Sequence, residues 1–272
     1  MPTIPTASLP RKFSPSALGM YEECPKQFEF AYLLRPEVEE AQSPHLVVGN
    51  AVHEALAFLY RLPVEERNES ALRQALRHHW ARIPDRDQAF LTEDEEREWG
   101  LRTLRSLSDY AARYDLGIRP LLVEDWIQAR LPNGRVVCGR TDRVDRSVGD
   151  RPGIEVIDYK TGRCRIDDEG LAGLISARLY ALAATRTLHE PVVKVRFVYV
   201  TEGIERTWSP DGDDLAAIES ELVELTDRVS SDEVFEARPD PMRCRWCSYA
   251  SLCPARDETS LEDLRDAATA VF

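Results

Sequence analysis

GRTDRVDRSVGDRPGIEVIDYKTG, from Gly139 to Gly162, is the stretch that decides the fold. It contains two β-like runs, one around Val144 and one from Ile154 to Tyr159, separated by a turn rich in Gly, Asp and Pro. Pairing the runs as a hairpin brings Asp142 close to Asp158. Asp158 and Lys160 are two residues apart, so strand alternation places both side chains on one face. Two carboxylates and a lysine on one sheet face are costly unless something neutralises the acids. A hard divalent cation such as Mg²⁺ does so through oxygen ligands. Lys160 then lies beside an attacking water and an anionic substrate, placed to hold the one and to stabilise charge on the other. The alternative is an exposed hairpin with ordinary surface salt bridges.

The run G-R-T-D-R-V-D followed by E-V-I-D-Y-K-T-G resembles the core of the PD-(D/E)XK nuclease superfamily, specifically its RecB-like branch. The resemblance implies an α/β fold with a restriction-endonuclease-like core, a mixed central sheet flanked by helices. It matches Asp142 to the family's first acid and Asp158, Tyr159 and Lys160 to its D/E-x-K triplet. The Tyr159 backbone carbonyl is implied as a further metal contact. Motifs matching the family run from Ser14 to Pro254 in family order.

A chain of 272 residues suits one large domain or two small ones. Its 43% hydrophobic and 31% charged content is that of an ordinary soluble globular protein. The formal net charge of −13 fits poorly with tight sequence-independent binding to nucleic acid, which comes mainly from Lys and Arg on phosphates. Weak intrinsic DNA affinity, or a partner that delivers the substrate, is therefore expected. The opening MPTIPTASLPRKF lacks the apolar run of a signal peptide, and no stretch approaches a membrane span. A cytoplasmic protein without a membrane partner is expected, and its six cysteines are then not a disulfide framework.

Taken in order, Ser14 reads as an N-cap with Pro15 at the first helical position. The helix carries Leu18, Tyr21, Phe28 and Tyr32, is interrupted by Pro25, and holds Cys24 in its middle. The run S-x-S-x-L-x-x-Y-x-x-C-P, Ser14 to Pro25, resembles the N-terminal segment of RecB-like nucleases that carry an iron–sulfur cluster. Gly49 precedes a helical pattern with Val52, Leu56, Leu59 and Tyr60 on one side and His53 beside that stripe. A lone histidine there reads as structural. The family's G-x-x-x-H segment matches Gly49 to His53 and implies a metal ligand, and imidazole suits Mn²⁺ better than Mg²⁺.

From Val64 to Arg113 the pattern is helical with a break at Pro84 and Asp85, and the acids from Glu93 to Glu98 read as a solvated face. A strand from Leu121 to Leu131 carries Glu124, and Asn133-Gly134 turns it into Val136 to Asp145. An acid in a strand is usually solvent-facing, whereas the resemblance implies that Glu124 is an accessory acid of the active site. In the family the next helix, here Glu169 to Leu188, carries Q-x-x-x-Y facing the cleft. Tyr180 is present, but Ser176 stands where glutamine is expected and cannot make the same two-ended hydrogen bonds. Val192 to Val200 and Glu205 to Trp208 read as strands. Leu215, Ile218, Leu222, Leu225 and Val229 mark an amphipathic helix, and Ser260 opens a short terminal one.

Cys244, Cys247 and Cys253 have the spacing C-x2-C-x5-C. Three close cysteines argue for a metal, and a tetrahedral thiolate site needs a fourth ligand, which Cys24 supplies if the chain ends meet. Zn²⁺ is the simplest occupant. Cys24-Pro25 together with the C-terminal C-x2-C-x5-C-P resembles [4Fe–4S]-bearing nucleases, including AddB-type helicase–nuclease subunits and CRISPR adaptation nucleases. That resemblance implies a cluster acting as a clamp on the chain ends. Cys138 and Cys164 read as structural thiols.

The chain is accordingly read as one nuclease domain over 1–272. It has a cluster-ligand segment at 14–34, a helical region with the metal-ligand histidine at 45–118, a catalytic core at 120–230 and a cysteine cluster at 238–256. The resemblance implies metal-dependent hydrolysis of DNA phosphodiesters, as an exonuclease on DNA with single-stranded character, in repair or recombination beside a helicase or repair partner. His53, Asp142 and Asp158 would hold Mg²⁺ or Mn²⁺. The competing readings are a non-catalytic nucleic-acid-binding scaffold that retains the fold, and a zinc-stapled structural domain.

Overall fold

The computed structural model describes residues 9–38, 42–149 and 151–256; the expected helix after Ser260 lies outside them. In chain order the elements are β1 (Lys12–Phe13), α1 (Pro15–Glu23), α2 (Pro25–Phe28), α3 (Pro44–Arg61), α4 (Glu69–Trp80) and α5 (Glu93–Arg113). Next come β2 (Leu122–Arg130), β3 (Val136–Arg146), β4 (Ile154–Lys160), α6 (Asp168–Gly173) and α7 (Ile175–Leu188). The chain continues with β5 (Val192–Tyr199), β6 (Ile204–Trp208), α8 (Gly212–Ser231) and α9 (Pro241–Cys244). Residues 9–38, 130–137 and 220–256 form one compact unit, and the remaining described residues form a second.

The second unit is built on a mixed sheet. β3 pairs antiparallel with β4, β4 parallel with β5, and β5 antiparallel with β6, while β2 pairs with β3. Parallel pairing of β4 and β5 needs a crossover, and α6 and α7 supply it. The expected single helix from Glu169 is broken at Leu174, whose extended backbone closes α6 and opens α7. The turn between β3 and β4 depends on Gly153 at φ +154, where a Cβ would lie 2.4 Å from the Pro191 carbonyl oxygen.

Helix α3 starts earlier than its hydrophobic stripe suggests. Ser43 caps it by accepting from the Leu46 N–H at 3.3 Å, with Pro44 at the first position, so Gly49 lies inside the helix and does not precede it. Asn68 and Thr92 cap α4 and α5 in the same way. The acids opening α5 are only partly a solvated face: Glu95 accepts from the Leu91 N–H, and Glu96 takes the Trp80 indole N–H at 2.9 Å and lies 2.6 Å from Arg86 Nε. Val52, Leu56 and Leu59 of α3 are buried with Leu72, Leu76 and Leu107 of α4 and α5, against Ile157 and Tyr159 of β4, Val198 of β5 and Val200 just after it. Because β4 alternates, this core holds Tyr159 on one face and leaves Asp158 and Lys160 on the other.

A polar knot sits within this core. Arg143, 3% exposed, donates to the Tyr159 hydroxyl at 2.8 Å and the Tyr110 hydroxyl at 3.2 Å, and lies 2.9 Å from an oxygen of buried Asp145. Its guanidinium also stacks 4.2 Å from the centre of the Tyr60 ring, and the Tyr60 and Tyr110 hydroxyls meet at 2.7 Å. Burial holds the Tyr110 and Tyr159 hydroxyls well above the ordinary phenol range, so they remain neutral partners.

In the first unit, β1 runs parallel to the first residues of β3, with Lys12 opposite Val136 and Phe13 opposite Val137. Cys24 does not sit inside a helix. It is the extended residue between α1 and α2, where Pro25 starts the second helix. Phe28 packs edge-on to Tyr21 and stacked on Phe235, and the Tyr21 hydroxyl donates to Asp232 at 2.8 Å. The N-terminal and C-terminal segments therefore meet inside this unit. Among the described residues no helix is long and apolar enough to cross a membrane.

Leu56 is fully buried and Leu91 is 93% exposed. Leu56→Ala should destabilise the protein by about 2–5 kcal/mol. Leu91→Ala should stay within about 0.5 kcal/mol of the parent, both read by urea unfolding.

Candidate active site

β3 and β4 bring the acids together. Arg143 is paired with Ile157, so Asp142 and Asp158 are neighbours one step further along the ladder. Both are nearly buried, at 7% and 4% exposure. Asp142 Oδ2 accepts the Tyr159 backbone N–H at 2.6 Å, and Asp142 Oδ1 lies 3.1 Å from His53 Nδ1. Helix α3 thus delivers His53 to the sheet, as its position beside the apolar stripe allows.

Glu124 enters from β2. Its Oε1 is 3.7 Å from His53 Nδ1, and its Oε2 is 2.9 Å from Arg140 Nε. Its backbone is left-handed, φ +50, an uncommon conformation for a non-glycine residue and one that costs energy. That kink in the strand turns the carboxylate inward, where alternation alone left it solvent-facing. The ligand atoms of His53, Glu124 and Asp142 all lie within 4.8 Å of one another, a spacing compatible with a single metal ion. An imidazole nitrogen and carboxylate oxygens suit Mg²⁺ or, better, Mn²⁺.

On the other side of Asp158, Lys160 Nζ lies 2.5 Å from Asp158 Oδ2 and 4.8 Å from the centre of the Phe197 ring. Burial pushes the Asp158 carboxyl up, with the Lys160 charge working against it. Burial works against the charge on Lys160 as well, but Asp158 outweighs it and keeps the ammonium protonated. His53 behaves likewise: burial lowers its pKa, while the hydrogen bond with Asp142 and the nearby Glu124 carboxylate overcome this and bring it from 6.5 to about 10.

Tyr180 of α7 donates to the Arg140 carbonyl at 3.2 Å. Its hydroxyl is pushed upward by burial and by the charges of Asp158, Asp142 and Glu124. Ser176, one helical turn earlier, is half-buried. The structure therefore brings together His53, Glu124, Asp142, Asp158, Lys160 and Tyr180. Sequence reasoning missed Arg140, which lines a cavity of about 350 Å³ with His53 and Glu124. It also missed the support behind the site from Arg143, Tyr60 and Tyr110. Arg140 lies within the deciding stretch, but nothing in the spacing showed that it would bind the strand before it.

The four cysteines line a separate cavity of about 600 Å³ in the first unit. All are free thiols. Burial pushes the Cys247 thiol up, a hydrogen bond from the Tyr249 backbone works against it, and the nearby Cys244, Cys24 and Cys253 add to the upward push. The Arg238 N–H points at Cys24 Sγ at 3.5 Å and the Asp240 N–H at Cys244 Sγ at 3.4 Å. Cys138 is buried and Cys164 donates to the Ile166 carbonyl, and neither lines this cavity.

A mixed sheet flanked by helices, with acids and a lysine meeting on neighbouring strands, is a restriction-endonuclease-like arrangement. The chain belongs to the PD-(D/E)XK nuclease superfamily, whose family model matches residues 12–254. It is similar to the crystal structure of a "Putative exonuclease" from Eubacterium rectale, with 15% identity and a TM-score of 0.52 over 92% of this chain and 89% of that one. This likeness shows the fold. The crystal structure of SSO0001, 14% identical over 92% of this chain and 88% of that one, has a TM-score of 0.40, too low to carry an argument. No curated protein matches.

In the metal-free protein His53 should titrate near pH 10, followed by its ring proton shifts in NMR. Because the folded value lies above 6.5, this group's contribution to stability is complete below about pH 6.5 and is lost as pH rises through about 10. Asp142→Asn should bring the titration back towards 6.5; an unmoved titration would show that Asp142 is not its partner.

Proposed function

We propose that the protein is a metal-dependent deoxyribonuclease of the RecB-like branch that hydrolyses phosphodiester bonds, acting as an exonuclease. The observation that carries this reading is the convergence of His53, Glu124 and Asp142 to metal-binding distance beside the Asp158–Lys160 pair. His53, Asp142 and Asp158 hold Mg²⁺ or Mn²⁺, assisted by Glu124 and the Tyr159 carbonyl. When bound, the cation supplies Lewis-acid polarisation of the phosphoryl group.

Asp158 keeps Lys160 charged, so Lys160 acts here as a hydrogen-bond donor and not as a base. It orients the attacking water and stabilises charge developing on the phosphoryl oxygens. Tyr180 braces the β3 backbone at Arg140. Binding a cation at the His53 ring nitrogen displaces its proton, which couples metal affinity to pH.

The reading extends to a [4Fe–4S] cluster on Cys24, Cys244, Cys247 and Cys253, closing the first unit. The shared cavity of about 600 Å³ is far roomier than one ion needs, and two backbone N–H groups point at its sulfurs. The substrate is DNA with single-stranded character in repair or recombination, delivered by a helicase or repair partner in the cytoplasm. The net charge of −13 supports that dependence on a partner.

A second reading, a non-catalytic scaffold, rests on that same charge and on Ser176 in place of glutamine. It is disfavoured by a site that keeps its histidine, acids and lysine together. Protein purified anaerobically should be brown, absorbing broadly near roughly 400 nm, whereas colourless protein with bound zinc would replace the cluster by Zn²⁺.

With Mg²⁺ or Mn²⁺ it should cut end-labelled DNA, and EDTA should stop it. Lys160→Ala should lower cleavage by at least about a hundredfold while the protein stays folded. Undiminished cutting by that variant would sink the mechanism, and a product ladder growing from one end would establish the exonuclease.

A further inference from the structure

Three cationic side chains face the candidate site, and two are already engaged. Lys160 is held by Asp158, and His53 by Asp142 and Glu124. Arg140 differs. Its Nε donates to the Glu124 carbonyl oxygen at 3.2 Å and lies 2.9 Å from the Glu124 carboxylate. Its two Nη groups make no hydrogen bond or ion pair among the described residues, and the side chain is 50% exposed. The main chain of Arg140 is fixed from behind by the Tyr180 hydroxyl. It lines the 350 Å³ cavity together with Gly49, Asn50, His53, Glu54 and Glu124.

A guanidinium has two usable edges, and its planar fork matches phosphate oxygens in bidentate fashion. Here one edge is occupied by the kinked strand residue Glu124, and the other is open to the cavity. The site is otherwise acidic, with Glu54, Glu124, Asp142 and Asp158 around it, and a phosphodiester entering it needs fixed positive charge to offset these carboxylates. A lysine could neutralise Glu124 or meet a phosphate, but its single ammonium could not span both directions in one rigid geometry.

We propose that the open Nη edge of Arg140 binds a backbone phosphate of the substrate strand next to the bond that is cut, while its Nε holds Glu124 in its left-handed conformation. Arg140 is thus a substrate-binding residue that ties strand position to the placement of Glu124. This rests on the nuclease reading above, and the experiment separates the two.

A labelled single-stranded oligonucleotide, with Ca²⁺ present, is titrated by fluorescence anisotropy at several salt concentrations. The proteins are Lys160→Ala, which keeps the strand intact, and the same chain carrying Arg140→Ala, Arg140→Gln or Arg140→Lys. Loss of one charge-assisted phosphate contact should weaken binding about tenfold to a hundredfold in the Ala and Gln variants. It should also reduce the slope of log affinity against log salt by about 0.7. Arg140→Lys should keep the slope yet bind several-fold more weakly. The thermal unfolding midpoint should stay close to that of Lys160→Ala in all of them, reporting an intact fold.

Affinity and slope unchanged in both the Ala and Gln variants would overturn the proposal. Weaker binding at an unchanged slope would overturn it too, because the loss would then not be a phosphate contact. If Lys160→Ala alone cuts DNA like the parent, the nuclease mechanism falls, and this assignment with it. If that variant is inactive and the Arg140 substitutions bind normally, only the Arg140 assignment falls.

Discussion

The short bond from the Tyr159 backbone N–H to Asp142 Oδ2 is the contact on which the rest depends. It fastens the acid of one strand to the main chain of the next at the residue between Asp158 and Lys160. A carboxylate held this way keeps one oxygen engaged and presents the other to His53. The same peptide therefore fixes the spacing between the two acids and the orientation of the histidine. A hydrogen bond to a charged acceptor is among the stronger ones, and this one is buried, where it is screened little by water.

That peptide is held from both faces of the sheet. Asp158 and Lys160 form a close pair on one face, and on the other the Tyr159 ring lies in the knot of Arg143, Tyr110 and Tyr60. Burying an arginine is costly, and here phenolic oxygens, a carboxylate and an aromatic face offset part of that cost while its Nε has no hydrogen-bond partner among the described residues. Such a knot adds less to net stability than apolar packing of equal volume. What it adds is a definite position for the Tyr159 ring, because removing any one member leaves a buried polar group without its partner.

The site carries part of its own counter-charge. His53, Lys160 and Arg140 each sit against a carboxylate, which offsets some of the acidic charge gathered there. In the first unit Arg238 and Arg243 line the cysteine cavity and donate to the backbone carbonyls of Glu22 and Glu23, which joins the end of α1 to the C-terminal segment. The net charge of −13 describes the chain as a whole and says little about either place.

The deciding hairpin was legible because strand alternation is a rule of two, and Asp142, Asp158 and Lys160 are spaced for it. The cysteine triplet was legible from spacing as well. Helix α3 was visible as an apolar stripe, but its start was misplaced, because Ser43 and Pro44 lie before the stripe begins. The break at Leu174 was invisible, since the apolar pattern continues across it.

What the sequence by itself determined was which residues share a strand or a helical face, because those relations follow from fixed local periods. Only the tertiary structure decided which strands and helices meet. The approach of Glu124 to His53 depends on one left-handed residue, the use of Arg140 on a strand reached through a hairpin, and the gathering of Cys24 with Cys244, Cys247 and Cys253 on contacts between the two ends of the chain. Such contacts are chosen by how well whole surfaces pack. No local pattern encodes that.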